Sequence, residues 1–393
     1  MISVAQALDR LFALVTPLPS DAVPLTDAAG RVLARPVSAR RNQPPFAASA
    51  MDGYAIRADF TPGSTLTVIG ESAAGRGFAG SVRPGQTVRI FTGAPLPDGA
   101  DIVVIQEDVT RSSGEITFRP DVGAPNIHAA NIRPMGADFK TGDSLDAPRI
   151  LSPSDIALLA AMNIGTVPVT RRPVVAIIAT GDELVQPGED PGPDQIIASN
   201  SYGLQALLRG LGAEARLLPI ARDTLESLAF CLKLAQGADL ILTIGGASVG
   251  DHDLVGQAAG LAGMEQAFYK VAMRPGKPLM AGRLGGAVMI GLPGNPVSAM
   301  ICGHIFVAAV IRAMLGLPAC ATPRQTAVLA AALPANGSRE HYLRARHTPD
   351  GVMAFDKQDS SLLTVLSAAD CLIVQPADDG PRAVGDMVQI IPI

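Results

Sequence analysis

Asp251 and Asp253 close the segment Gly245-Gly246-Ala247-Ser248-Val249-Gly250, which follows a short apolar run over 239–244. A run of that kind reads as a strand buried on both faces. Glycines let backbone approach a ligand closely, and successive N–H groups in such a turn form a concavity suited to an oxyanion. The two aspartates could hold a hard cation against a bound phosphate. A tight strand-to-helix turn with solvated carboxylates has the same spelling, so this loop alone leaves both readings open.

Three more polar segments are predicted to follow strands: Thr180-Gly181-Asp182-Glu183, the stretch 273–278 with Arg274 and Lys277, and the stretch 291–298 with Pro293, Asn295 and Pro296. Ligands of open α/β sheets bind outside the carboxyl ends of the strands, so the four segments should share one rim. One set brings acids (Asp182, Glu183, Asp251, Asp253), another brings cations (Lys270, Arg274, Lys277), and glycines expose N–H groups. A helix starting at Asn295-Pro296 adds an expected anion site. Together these groups suit a phosphorylated ligand with Mg²⁺. Asp223-Thr224-Leu225-Glu226 has the form of a capping box, which makes Asp223 most simply a helix cap. Two earlier loops, Phe91-Thr92-Gly93 and the stretch 131–138 with Arg133 and Asp138, read equally as turns or as ligand contacts.

The elements that position these loops follow from periodicity. Leu8, Leu11, Phe12 and Val15 predict a helix over 4–14 with that face buried. Short strands between Gly and Pro turns, at 66–69, 86–90, 101–105 and 115–118, predict an all-β module. A helix running from Leu151 through Met162 has Ser152 as its cap and Pro153 at its first helical position. After Arg171-Arg172-Pro173 the pattern alternates: strands at 174–179, 239–244, 268–272 and 287–290, with helices from 202, 223, 254 and 294. That is the pattern of a doubly wound α/β domain. Strands at 325–329, 340–346, 352–355, 371–375 and 387–391 predict a last β domain, expected to be a barrel.

A chain of 393 residues has room for two to four domains. Its 48% hydrophobic and 17% charged residues mark it as globular. A net charge of −5 argues against a general nucleic-acid binder. Cys231, Cys302, Cys320 and Cys371 form no Cys-x-x-Cys pair, which disfavours a disulfide framework or a zinc site and fits a reducing cytoplasm. The N-terminus lacks the features of a signal peptide. The apolar stretch 297–315 is interrupted by His304 and Arg312 and is expected to be too polar to span a bilayer.

Taken together, five segments resemble the motifs of the MoeA family, the molybdopterin molybdenumtransferases related to the E domain of gephyrin. They are 49–55 around Met51-Asp52-Gly53, Thr180-Gly181-Asp182-Glu183-Leu184, Gly245 to Gly250 with Asp251 and Asp253, Arg274-Pro275-Gly276-Lys277-Pro278, and 291–298. The likeness runs through essentially the whole chain in order. It implies a multidomain α/β plus β homodimer: an N-terminal split domain over 1–44 and 139–170, and an inserted β module over 45–138. A molybdopterin-binding, MoaB/MogA-like α/β domain over 171–320 and a C-terminal β-barrel over 321–393 complete it. The implied reaction inserts molybdenum from molybdate into adenylylated molybdopterin and releases AMP with the help of Mg²⁺. The site is expected between the α/β domain of one subunit and the inserted module of the other.

Carried over to this sequence, the resemblance assigns catalytic roles to Asp52, Glu183, Asp223, Asp253, Lys270 and Arg274. Ligand contacts fall to Thr92, Arg133, Asp138, Gly245, Gly246, Ser248, Gly250, Lys277, Pro293 and Pro296. Metal binding falls to Glu183, Asp223, Asp251 and Asp253. Carboxylates suit a metal and water activation, while Arg and Lys suit phosphate and tetrahedral molybdate. A molybdopterin adenylyltransferase and apo-molybdoenzymes are the implied partners. The spelling departs from the family at Phe46-Ala47-Ala48, at Pro134-Met135 and, loosely, at Asp359-Ser360-Ser361; Arg274 replaces a lysine of some members with a planar fork. Two alternatives remain. An adenylyltransferase should carry Gly-Gly-Thr-Gly where Gly245-Gly246-Ala247-Ser248 stands, and would not need the first 170 residues. A non-catalytic cofactor-binding scaffold or carrier would keep the fold without the chemistry, and the retained acids favour catalysis.

Overall fold

The computed structural model describes residues 1–60, 63–119, 131–246 and 254–393. The chain forms two compact units, one of residues 1–21, 30–34 and 169–393, the other of 22–29 and 35–168.

In the first unit six strands make one mixed sheet. In chain order the elements are β1 (Val174–Ala179), α1 (Asn200–Gly210), β2 (Glu214–Leu217), α2 (Leu225–Leu234), β3 (Leu240–Ile244), α3 (Leu254–Leu261), β4 (Glu265–Tyr269), β5 (Met280–Leu284), β6 (Ala287–Leu292) and α4 (Pro296–Cys302). The strand order is β2-β1-β3-β6-β5-β4, with β2, β1, β3 and β6 parallel. β5 returns antiparallel against β6 through the turn at Gly285-Gly286, and β4 pairs antiparallel with β5. The pleat divides β1 between two cores. Val175 and Ile177 pack on the α1 and α4 side with Leu204, Leu208, Val297 and Ile301. Ala176 and Ile178 pack on the α2 and α3 side with Leu228, Leu232, Val255 and Ala259. This alternation makes the strands apolar throughout, as a sheet covered on both faces requires. Arg171 grips Asp239 through two bonds of 2.6 and 2.7 Å, and the Val174 N–H donates to the same carboxylate at 2.8 Å. The starts of β1 and β3 are thereby tied together at the end of the sheet remote from the polar loops.

Several expectations need correction. The expected strand at 268–272 lies at Glu265–Tyr269, and β5 was not expected at all. Its apolar positions are broken by Gly282 and Arg283, and pairing with β6 on one side and β4 on the other makes it a strand. The helix Val4–Leu14 buries Val4, Ala7, Leu8 and Leu11, while Phe12 and Val15 are only partly covered. The helix entered at Asn295 carries a π-turn at Gly303–Val307 before continuing over Ala308–Met314. By length and composition, Pro296–Met314 is apolar enough to cross a membrane, with a mean hydropathy of 1.9, despite the expected interruption by His304 and Arg312. Burial explains it instead: 83% of its apolar window is inside the protein, as in a core helix.

The C-terminal strands are β7 (Gln325–Val328), β8 (Glu340–Thr348), β9 (Gly351–Ala354), β10 (Cys371–Gln375) and β11 (Met387–Pro392). They pair in the order β9-β8-β10-β11-β7, and a bridge between Leu329 and Val352 brings the β7 edge back to β9. The short strand Met273–Arg274 adds to β8 at Glu340 and His341. His341 is buried, and its imidazole is pushed down to about 4 by burial and then by Arg274, Arg344 and Arg339. The unfolded chain takes up this proton near the ordinary histidine value, whereas the folded chain refuses it until about pH 4. Stability therefore falls as pH drops through that window, by up to roughly 3 kcal/mol. His341→Gln is expected to flatten this acid sensitivity, which denaturant titrations on either side of the window will measure.

In the second unit, the strands Ile102–Ile105, Gly53–Ile56, Gln86–Ile90, Thr65–Ser72, Glu115–Phe118 and Val109–Ser112 form a six-stranded sheet in that order. Tyr54, Ile56 and Ile116 build a core on one side, and Ala55, Val88 and Val103 build one on the other. The helix Pro153–Ala161 starts at Ser152, as its sequence predicts, and Asp155 closes a capping box there.

Candidate functional site

A cleft of about 1050 Å³ opens at the carboxyl ends of β1, β3 and β6. Each strand hands over to a loop that needs a special backbone. After β1, Gly181 sits beneath its own neighbour: a Cβ there would lie 2.3 Å from a Glu183 carboxylate oxygen. After β3, Gly245 and Gly246 take φ of +93° and +65°, a region that side chains disfavour. A Cβ on Gly245 would press on the Thr180 carbonyl at 2.8 Å, and one on Gly246 on a Val255 methyl at 2.3 Å. After β6, Pro293 is buried and the Asn200 amide donates to the Gly294 carbonyl at 2.7 Å. Glycine is thus required where the loops pack against one another as well as where a ligand would approach.

The cleft brings together Glu183, Asp223, Gly245, Gly246, Lys277, Pro293 and Pro296 from the expected set. It adds Asn200, Asn295, Ser361 and the strand Ile196–Ile197, whose exposed side chains give it an apolar wall. Ser248, Gly250, Asp251 and Asp253 lie outside the described residues, so the loop after β3 is described only at Gly245 and Gly246. Neither Lys270 nor Arg274 is among the lining residues. Lys270 places its ammonium 4.8 Å from the centre of the Tyr269 ring, and Arg274 is held in the short strand beside His341.

Two local readings are overturned here. Thr224, not Asp223, caps α2: its hydroxyl accepts from the Ser227 N–H at 3.2 Å, which leaves the Asp223 side chain available to the cleft. The expected anion site at the start of α4 is also reduced. Pro296 has no N–H to offer, and the Val297 N–H already donates to the Ser360 carbonyl at 3.1 Å. Asn295 donates to the Ser360 hydroxyl at 3.1 Å, so the loop 359–361 is fastened to α4 and carries Ser361 to the cleft.

Arg222 had no signal in local sequence. Its guanidinium donates to the Asp182 and Leu184 carbonyls at 3.0 and 3.3 Å, on both sides of Glu183. The Asp182 carboxylate in turn accepts from the Asp223 N–H at 3.2 Å. These bonds hold the two loops that bear Glu183 and Asp223 against each other. Hard carboxylate oxygens, one ammonium and glycine-lined backbone in one cleft can hold a phosphorylated ligand beside a divalent cation.

The second unit presents its own polar group. Asp52 accepts from the Thr92 N–H and hydroxyl, both at 2.8 Å, and these bonds hold its carboxyl below the usual carboxylate range. Arg133 lies in the two-stranded pairing with Ala48 and Ser49, and Asp138 follows in the turn after it; both are exposed.

Comparison with known proteins gives a consistent result. Three family descriptions match: "MoeA N-terminal region (domain I and II)" over residues 2–163, "Probable molybdopterin binding domain" over 176–313, and "MoeA C-terminal region (domain IV)" over 326–393. The chain is 36% identical over 385 residues to molybdopterin molybdenumtransferase 2 of Mycobacterium tuberculosis, with 94% of each chain covered. It is 34% identical to molybdopterin molybdenumtransferase of Haemophilus influenzae, covering 100% of this chain and 98% of that one. Among solved structures, the molybdopterin biosynthesis moeA protein from Pyrococcus horikoshii superposes with a TM-score of 0.87 at 28% identity, over the whole of both chains.

Proposed function

This chain belongs to the MoeA family, and on that premise we propose that it is the molybdenum insertase of molybdenum cofactor biosynthesis. It takes adenylylated molybdopterin and molybdate, places molybdenum in the dithiolene, and releases AMP with Mg²⁺. The observation that carries the reading is the cleft that unites Glu183, Asp223 and Lys277 around Gly245 and Gly246.

Glu183 and Asp223 both reach the cleft, and among the described residues neither carboxylate is in an ion pair. Two hard oxygen donors of this kind fit Mg²⁺, with Asp251 and Asp253 as the further ligands that the family resemblance suggests. Bound there, the ion would neutralise charge on the pyrophosphate and polarise an attacking water. Lys277 pairs with the phosphate that the glycine turn receives. Ile196 and Ile197 offer apolar surface to a flat heteroaromatic ring. Lys270 and Arg274 are assigned to molybdate, with Asp52, Thr92, Arg133 and Asp138 contributed by the inserted β module of the other subunit, as the family resemblance implies. The same reading includes the split N-terminal domain, a C-terminal barrel over the strands β7 to β11, a homodimer and a cytoplasmic location. A molybdopterin adenylyltransferase supplies the substrate and apo-molybdoenzymes receive the product.

The assay mixes the protein with adenylylated molybdopterin, molybdate and Mg²⁺, and follows AMP and the reconstitution of an apo-molybdoenzyme. Both are expected, and chelation of Mg²⁺ is expected to stop AMP release. Tight binding without AMP would make the protein a carrier. Formation of the adenylylated species from ATP and molybdopterin would make it the adenylyltransferase.

Arg222→Gln removes the clamp between the two acidic loops without touching the ligand. It is expected to lower AMP release by about 10–100-fold, as loss of outer-shell support does at metal sites. The Mg²⁺ concentration needed for half-maximal rate should rise with it. An unchanged Mg²⁺ dependence would remove Arg222 from this positioning role.

A further inference from the structure

Away from the cleft, His347, Asp370 and Cys371 converge at one end of the C-terminal strands, their ligand atoms all within 4.8 Å of one another. Among the described residues no other three histidine, cysteine or acidic side chains come together in this way. The register explains the meeting. Ala345 of β8 pairs with Cys371 at the start of β10, so His347, two residues further along β8, stands on the same face as Cys371. Asp370 is turned towards them by backbone: the His347 N–H lies 3.1 Å from both of its carboxylate oxygens. Its Oδ1 is 2.8 Å from His347 Nδ1, and the Cys371 sulfur lies within 4.8 Å of both. The side chains of His347 and Asp370 are each 52% exposed, whereas Cys371 is buried.

We propose that His347, Asp370 and Cys371 form a binding site for a borderline-soft divalent cation, Zn²⁺ by preference, separate from the catalytic cleft. An imidazole, a carboxylate and a thiolate are three of the ligand types that tetrahedral Zn²⁺ accepts, and water takes the fourth position. Ligand atoms around Zn²⁺ stand roughly 3.3–3.8 Å apart, as bond lengths of about 2.0–2.3 Å require. The Nδ1 to Oδ1 pair, at 2.8 Å, must open slightly, and the sulfur, within 4.8 Å of both, must close to this spacing. The metal displaces the thiol proton, which passes to solvent, and the thiolate joins the coordination sphere. The exposed imidazole and carboxylate leave an entry path, and the His347 N–H serves as the outer support that orients the carboxylate. By contrast, Cys302 is equally buried, donates to the Gly276 carbonyl at 4.0 Å, and belongs to no such group among the described residues. A search for Cys-x-x-Cys spacing is blind to such a site, because its members come from two strands.

The test uses the full chain in a Cys320→Ser background, which removes the exposed cysteine. Chelator-treated protein is titrated with Co²⁺ and then Zn²⁺. One equivalent of Co²⁺ should produce a sulfur-to-cobalt charge-transfer band that Zn²⁺ abolishes, and Zn²⁺ should raise the Tm. His347→Ala and Asp370→Asn, both at exposed positions, should each weaken Co²⁺ binding at least tenfold and suppress the Tm rise. Cys371→Ser should remove the charge-transfer band, and the two exposed variants carry the test if that one fails to fold. Absence of the sulfur band, or an undiminished Zn²⁺ response in His347→Ala, would reduce the cluster to a His–Asp ion pair that closes the strand ends.

Discussion

Glu183→Gln and Asp223→Asn are expected to lower the rate of AMP release by roughly 10²–10⁴-fold, the range in which a positioned acid, base or metal-holding group acts. Each change keeps the shape of the side chain and removes only its charge. The Glu183 carboxylate lies over Gly181 and that of Asp223 is released to the cleft by the Thr224 cap, so neither substitution removes a bond that holds the fold. Binding of adenylylated molybdopterin should therefore change much less than kcat. The apparent Mg²⁺ affinity should fall in both variants. Equilibrium binding of the substrate, run beside single-turnover AMP release, separates the two effects. A variant that binds poorly but turns over normally would assign its carboxylate to substrate binding and not to the reaction.

Arg344→Met is expected to cost about 2 kcal/mol of stability, because it leaves half-buried acceptors without their donors. Arg344 is only 1% exposed. Its Nε and Nη2 donate to the Gln358 side-chain oxygen at 3.0 and 2.9 Å, and its Nη1 donates to the Asp359 carbonyl at 2.7 Å. Gln358 reaches back to the Arg344 and Phe355 carbonyls at 2.9 and 2.8 Å. This network shapes the loop that fastens to α4 through Ser360 and delivers Ser361 to the cleft. A second effect should follow: KM for adenylylated molybdopterin rises while kcat changes little. Thermal unfolding reads the first effect and steady-state kinetics the second. A stable variant with unaltered KM would show that the loop holds its place without the arginine.

The chain's own pattern reveals much of this molecule. The apolar runs at Val174–Ala179 and Leu240–Ile244 are strands because a sheet covered on both faces demands apolar residues at every position. Ser152 and Pro153 announce a helix start, since capping is settled within four residues. Glycines after β1, β3 and β6 and acids after β1 and β2 mark the cleft, because parallel strands put all their carboxyl ends on one side. The motif series was sufficient for family membership.

What tertiary structure alone decided are pairings between distant residues, which no local period encodes. β5 is a strand because β6 folds back on it at Gly285-Gly286, and not because of its own spelling. Thr224 takes the cap that Asp223 was expected to make, because the Asp223 N–H is drawn to Asp182, 41 residues earlier. Arg222 gains its place from two carbonyls of another loop, and Arg344 from a glutamine 14 residues away. Lys277 enters the cleft, whereas the short strand beside β8 holds Arg274, two basic residues that the sequence treats alike. Periodicity and motif spelling report what each residue prefers within its own turn or strand. Which distant donor meets which acceptor depends on how the strands stack, and that is decided only when the chain closes on itself.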